Sequence, residues 1–171
     1  VVTNLSTSMM LESIANETIR TKIGEAHVVQ KMNELNIPIG GEGNGGVILK
    51  EVHLGRDSLV AISMILSLLS SSGKSISDEI SNIPQYLMIK DKILIDDKID
   101  FDSLETIFDC NEINKIDGIK FIWPNKWIHI RKSNTEPIIR IFAEAKNQDE
   151  VNELINTCLL YTSDAADEVL G

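Results

Sequence analysis

The chain has 171 residues, a hydrophobic fraction of 43% and a formal net charge of −10, which is enough apolar length for one large domain or two small ones. Acidity of this order excludes broad phosphate neutralisation along a nucleic acid and leaves room only for a local basic pocket. No apolar run reaches membrane-spanning length, and two cysteines, Cys110 and Cys158, are too few for a disulfide framework, so a cytoplasmic chain is expected, with neither membrane nor nucleic acid as partner.

Val1 to Thr3 reads as the end of a buried strand, and Ser6 or Thr7 as the cap of a helix through Met9, Met10, Ile14 and Ala15. Thr18 to Ile23 alternates as a short strand. Glu25 to Leu35 is predicted to be a helix, with Val28, Val29, Met32 and Leu35 on its inner face. Ile37-Pro38-Ile39 leads into the glycine-rich stretch Gly40 to Gly46, and Val47-Ile48-Leu49 is β-like. Arg56 to Leu69 is apolar on most sides and is therefore expected to be a buried helix. This alternation predicts an α/β first part with a layered sheet.

After the turn Ser70 to Lys74, Ser77 is expected to cap a short helix from Asp78 to Ile83, stopped by Pro84. The second part begins with a strand from Leu87 to Ile95 and a helix from Phe101 to Phe108. Asp117-Gly118 has hairpin-turn character. Strands are predicted over Lys120 to Trp123, Lys126 to Arg131 and Ile138 to Glu144, and a last helix capped by Asp149 with Val151, Leu154 and Ile155 inward. Consecutive strands with short turns predict a small α+β domain, its antiparallel sheet covered by helices on one face. From Cys158 onward the sequence departs from this pattern and resembles the translation of a sequencing adapter. Residues 158–171 are therefore set aside as a non-native tail. Val1, which is not an initiator Met, is expected to lie inside a longer protein.

Two stretches carry candidate chemistry. Gly41, Gly43 and Gly46 fit a dinucleotide-binding glycine pattern by letter, but a β-like run follows where a helix must start, and Glu42 would repel a pyrophosphate. A tight loop presenting Glu42 as acceptor and Asn44 as donor and acceptor suits the vicinal hydroxyls of a sugar, or is simply a turn. The second stretch, Arg131-Lys132-Ser133-Asn134-Thr135-Glu136-Pro137 followed by Arg140, gathers guanidinium, hydroxyl and backbone donors as a phosphate dianion requires. An ordinary polar turn is the alternative, and Glu136 argues mildly against a phosphate unless it points away.

In that order, the two stretches resemble the sugar loop and phosphate loop of the α-D-phosphohexomutase family. The sugar loop is matched by Gly41-Glu42-Gly43-Asn44-Gly45, and the phosphate loop in full from Arg131 to Arg140. Thr21-Lys22-Ile23-Gly24 resembles the family's lysine-bearing segment and Gly55-Arg56-Asp57 the turn before a long helix. The resemblance covers Val1 to Thr157 and implies an N-terminally truncated third domain over 1–84 and the fourth domain over 85–157.

It further implies an isomerase that moves phosphate between the 1 and 6 positions of a hexose through a bisphosphorylated sugar, so that hexose phosphate and hexose bisphosphate are the expected partners. Glu42 and Asn44 would hold sugar hydroxyls. Arg131, Ser133, Asn134, Thr135 and Arg140 would hold the non-reacting phosphate, and Lys22 would act near the transferred group. The family's phosphoserine and its Mg²⁺ site fall in domains that this chain lacks, so no metal ligand is expected here and the fragment alone is expected to be inactive. His27 and His53 are expected on a helix surface and in a loop. Gly41 to Gly46, the long helix from Arg56 and Trp127 to Ser133 together look most like bacterial members acting on glucosamine or mannose phosphates, with glucosamine favoured. A non-catalytic sugar-phosphate binding protein and a protein-binding module remain as alternatives. The sequence does not speak to oligomeric state.

Overall fold

The computed structural model describes residues 1–94, 103–133 and 135–167. Two compact units divide the chain, Val1–Gln85 and Tyr86–Gly171.

The first unit is a four-stranded sheet of order β2-β1-β3-β4, formed by β1 (Val2–Asn4), β2 (Ile19–Thr21), β3 (Ile39–Glu42) and β4 (Gly46–Leu49). β1 runs parallel to β2 and β3, while β3 and β4 form an antiparallel hairpin. The glycine-rich stretch, read from sequence as a loop, thus contributes two strands and a short turn. Helix α2 (Glu25–Leu35) packs Val28 and Met32, one turn apart, against Val2 and Ile48. Its approach is close enough that a Cβ at Gly40 would lie 2.4 Å from Met32 Sδ. Leu35, expected inside, is half exposed because α2 ends there, with Asn36 in the left-handed conformation.

Three other local readings change. The first helix shrinks to α1 (Leu11–Ile14) without a side-chain cap, because the Thr7 hydroxyl is engaged elsewhere. Helix α3 (Ser58–Ser72) is capped by Asp57, which accepts from the Leu59 and Val60 N–H groups. It was expected to be buried, yet no residue of it is: Leu59 is 74% and Leu66 60% exposed. It packs along β4, and its all-round apolar composition did not translate into burial. The short helix α4 (Ile76–Ser81) starts two residues earlier than read, on a Ser75–Asp78 capping box rather than on Ser77.

The second unit is an antiparallel sheet of order β5-β9-β8-β7-β6, comprising β5 (Leu87–Leu94), β6 (Glu112–Asn114), β7 (Ile119–Ile122), β8 (Trp127–Lys132) and β9 (Ile138–Ala145). β6 escaped the sequence reading: Glu112-Ile113-Asn114 is too short and polar to declare itself. The expected helix over 101–108 is a 3₁₀ turn, Ser103–Thr106, while Ile95, Phe101 and Asp102 lie outside the described residues. Ile128 and Ile130 of β8, Ile139, Ile141 and Ala143 of β9, and Phe121 of β7 share one face and meet Val151, Leu154 and Ile155 of α5 (Gln148–Asp167). Helical cover thus lies on one face, as the strand pattern implied. Asn147, not Asp149, serves the start of α5, its side chain accepting from Glu150 N–H. The helix runs on past Cys158, which is fully buried in this core. Among the described residues no helix is long and apolar enough to cross a membrane.

Candidate functional site

In the first unit, the end of β3 projects Glu42 into a network that fixes its carboxylate. Asn4 Nδ2 and the Gly24 backbone N–H both donate to Glu42 Oε1, each at 2.9 Å. The second oxygen, Oε2, lies 4.0 Å from Arg56 Nη1, and the side chain is only 7% exposed. Asn4 in turn accepts from Ser6 N–H and Thr7 Oγ1, and Thr7 Oγ1 accepts from Gly43 N–H. Arg20 braces the same loop by donating to the carbonyls of Asn4, Thr7 and Ser8. Arg56 is held from the other side by Glu25, whose carboxyl sits below the usual carboxylate range because the Arg56 backbone N–H and guanidinium both donate to it.

Asn44 is exposed at the hairpin turn, its Oδ1 accepting from Gly46 N–H, which leaves the amide nitrogen outward. Asn44, Arg56, Glu25 and Ser58 line one polar depression. Lys22 follows β2, is exposed, and makes no ion pair among the described residues. An adjoining cavity of about 300 Å³ is lined by Gly41, Glu42, Val47, Leu11 and Met64. His27 lies exposed on α2, and His53 lies in a loop, paired with Asp57 at 2.9 Å.

In the second unit, β8 and β9 carry Arg131 and Arg140 to directly opposed positions on the sheet face away from α5. Ser133 N–H donates to the Ile138 carbonyl and closes the connecting turn. The Ser133 hydroxyl lies 3.4 Å from Arg140 Nε and accepts weakly from Thr135 N–H. Glu136 folds back to pair with Arg140, so its charge is engaged beside the site and does not point away from it. Asn134 lies outside the described residues.

The Arg131 side chain is 7% exposed, with Nε 3.2 Å from Asp117 Oδ2. The N–H is not aligned on that oxygen, and this buried donor has no hydrogen-bond acceptor among the described residues. A buried guanidinium opposite a second guanidinium, with a hydroxyl beside it, is an arrangement that can accept an anion. Asn4, Arg56 and Asp117 were missed by the sequence reading, because each acts across the fold on a residue far away in the chain. Asp117 had been read only as half of a turn.

His129 lies on the same face as Arg131 and is fully buried. Burial, opposed by its Nε2–H donating to the Asp117 carbonyl, pushes its imidazole down from 6.5 to about 4, with Lys120 and Arg131 adding to the fall. The unfolded chain takes up this proton near pH 6.5 and the folded chain only near 4. Stability from the neutral ring is therefore complete above about 6.5 and is lost as pH falls towards 4. The loss by pH ~4.5 is expected to be about 2–3 kcal/mol. His129→Gln should remove this part of the slope in urea unfolding compared between pH ~7.5 and ~4.5.

Comparisons with known proteins agree on the class. Residues 1–86 match the model of phosphoglucomutase/phosphomannomutase α/β/α domain III, and residues 92–158 that of the C-terminal domain of the same proteins. A phosphoglucomutase/phosphomannomutase of Thermococcus kodakarensis is 36% identical over 162 residues, covering 90% of this chain and 36% of the relative. A phosphoglucosamine mutase of Methanococcus maripaludis is 32% identical over 168 residues, covering 92% and 37% respectively. Among solved structures, a Burkholderia thailandensis phosphoglucomutase/phosphomannomutase family protein superposes with a TM-score of 0.79 at 20% identity, over 96% of this chain and 37% of the other. The N-acetylphosphoglucosamine mutase of Aspergillus fumigatus, solved with GlcNAc-6P and magnesium, gives 0.64 at 14% identity, over 96% and 40%.

The chain belongs to the phosphoglucomutase/phosphomannomutase family of phosphohexomutases, whose members are isomerases. It corresponds to their C-terminal region and spans a little over a third of the length of these relatives.

Proposed function

We propose that a protein containing this chain interconverts 1-phospho and 6-phospho hexoses through a hexose bisphosphate, with a hexosamine phosphate as the favoured substrate. The observation that carries this reading is Arg131, a buried guanidinium directly opposite Arg140 in the β8–β9 register, with the Ser133 hydroxyl beside Arg140. In it, Arg131, Ser133, Asn134, Thr135 and Arg140 hold the phosphate that is not reacting, and charge-assisted bonds fix its position. Glu42 accepts from ring hydroxyls through Oε2, since Oε1 is occupied, and Asn44 adds a donor. Lys22, whose ammonium has no ion-pair partner among the described residues, supplies positive charge near the transferred phosphoryl group.

Mg²⁺ in this reading belongs to a part of the protein outside the chain. Among the described residues no group of three or more His, Cys, Asp or Glu side chains is disposed to hold a metal ion. The hexosamine preference rests on the relatives that act on glucosamine phosphate. Glucose and mannose phosphates are the competing substrates, and a cytoplasmic setting follows from the same reading.

Glu42→Gln tests the sugar side in a protein that contains this chain together with the remaining domains. The amide oxygen still accepts from Asn4 and Gly24, so the melting temperature should hold. Turnover on hexosamine, glucose and mannose phosphates should fall by roughly 10–100-fold. Unchanged turnover would make Glu42 structural, and phosphate binding without turnover on any of these sugars would leave only a sugar-phosphate binding protein.

A further inference from the structure

Strand register places a third cation beside the two arginines of the phosphate loop. Arg140 is directly opposite Arg131 on β8 and directly opposite Lys92 on β5, so Lys92, Arg140 and Arg131 form one row across three strands on one face. Directly opposed residues have Cβ atoms about 5 Å apart, and like charges there repel. Such a row costs stability unless an anion sits on it.

The charges available along the row are unequal. Arg140 pairs with Glu136 and Arg131 lies near Asp117. Lys92 is exposed and makes no ion pair among the described residues. Its backbone N–H is taken by Asp91, whose side chain belongs to the opposite face, as the pairing Asp91↔Ile141 requires. The next row along the sheet holds Lys90, Phe142, His129 and Lys120. There Lys90 lies over the Phe142 ring at 5.9 Å, so its charge already has a neighbour. Lys92 is thus the one residue of the loop-proximal row whose charge is unmatched among the described residues, in a chain of net charge −10.

We propose that Lys92 is a further phosphate-contacting residue: its ammonium completes, with Arg131 and Arg140, a three-cation cradle for the phosphate dianion held by the loop. This rests on the phosphate-binding role of the loop and adds a ligand from a strand about 40 residues away in sequence. Phosphate is the matching ligand because its several acceptor oxygens can take charge-assisted bonds from all three cations at once.

The test is a titration of the ¹⁵N-labelled chain with inorganic phosphate, following the Ser133 and Thr135 amides. Lys92→Gln is expected to weaken binding about fivefold, while Lys92→Arg and the neighbouring-row control Lys90→Gln stay within about twofold of the starting protein. The Lys92→Gln deficit should persist between about 0.05 and 0.5 M NaCl, as a direct contact does and a long-range field does not. Lys92→Gln should also leave the urea midpoint in place or raise it, since it relieves repulsion in the free chain. A lowered midpoint would mean that Lys92 is structural and would overturn the inference. So would an unchanged affinity in Lys92→Gln when Arg131→Ala abolishes binding, an outcome that keeps the loop as the phosphate site. An equal loss in Lys90→Gln would replace the cradle with a diffuse field. If phosphate shifts neither amide in the starting protein, the loop assignment falls, and Lys92 with it.

Discussion

Arg131→Ala is expected to weaken phosphate binding by roughly 2–4 kcal/mol, because the dianion loses a charge-assisted guanidinium partner that is itself buried. The unliganded fold should survive the change. Arg131 leaves one of its own buried donors unused and is not well aligned on Asp117, so little internal bonding is lost. Ser133→Ala should cost less, about 1 kcal/mol, as a neutral hydroxyl does. Arg131→Lys should fall between, since a point charge cannot reproduce the planar fork. Isothermal titration with phosphate or with a hexose 6-phosphate measures all three. Equal affinity in the starting protein and in Arg131→Ala would remove the phosphate assignment from this loop.

Gly118→Ala is expected to destabilise the second unit by about 2–4 kcal/mol. Gly118 has φ +74°, in the region where side chains are strained, and an added Cβ would meet the Ile130 carbonyl oxygen at 2.3 Å and Arg131 Cβ at 2.7 Å. The first of these is backbone of a central strand and has nowhere to move. Relief requires the turn to lift off β8, which carries Asp117 away from both Arg131 and His129. Urea unfolding should therefore show a lower midpoint, and phosphate affinity of the folded fraction should fall as well. A stability loss with intact affinity would mean that the turn supports the fold but not the Arg131 geometry.

What the sequence made legible was local. The Arg131–Arg140 stretch is a run of adjacent residues closed by one hairpin, so its order and spacing contain most of its candidate chemistry. The strands of the second unit were readable because Ile128, Ile130, Ile139 and Ile141 alternate with polar neighbours on a sheet covered on one face. The misses are non-local. Lys92 meets Arg140 only through strand register, and no spacing in the chain encodes that pairing. Helix α3 has the composition of a core helix, but composition does not say what lies against it. The Glu42 carboxylate was recognisable as a candidate, whereas the donors that orient it, Asn4 and Gly24, come from β1 and the start of α2.

Asn4 has a consequence for how the molecule assembles. Its hydrogen bond to Glu42 spans 38 residues, and β1 meets β3 in a single register pair, Val2↔Gly40. The carboxylate is oriented only after strands distant in sequence have docked, so the Glu42 network forms late, behind the entropy of closing that loop. A one-residue slip of β1 would turn Asn4 to the opposite face of the sheet and leave Glu42 with one donor instead of two. The ordering of one carboxylate is thereby a reporter of correct strand pairing, and a misregistered chain would fold with Glu42 only half held.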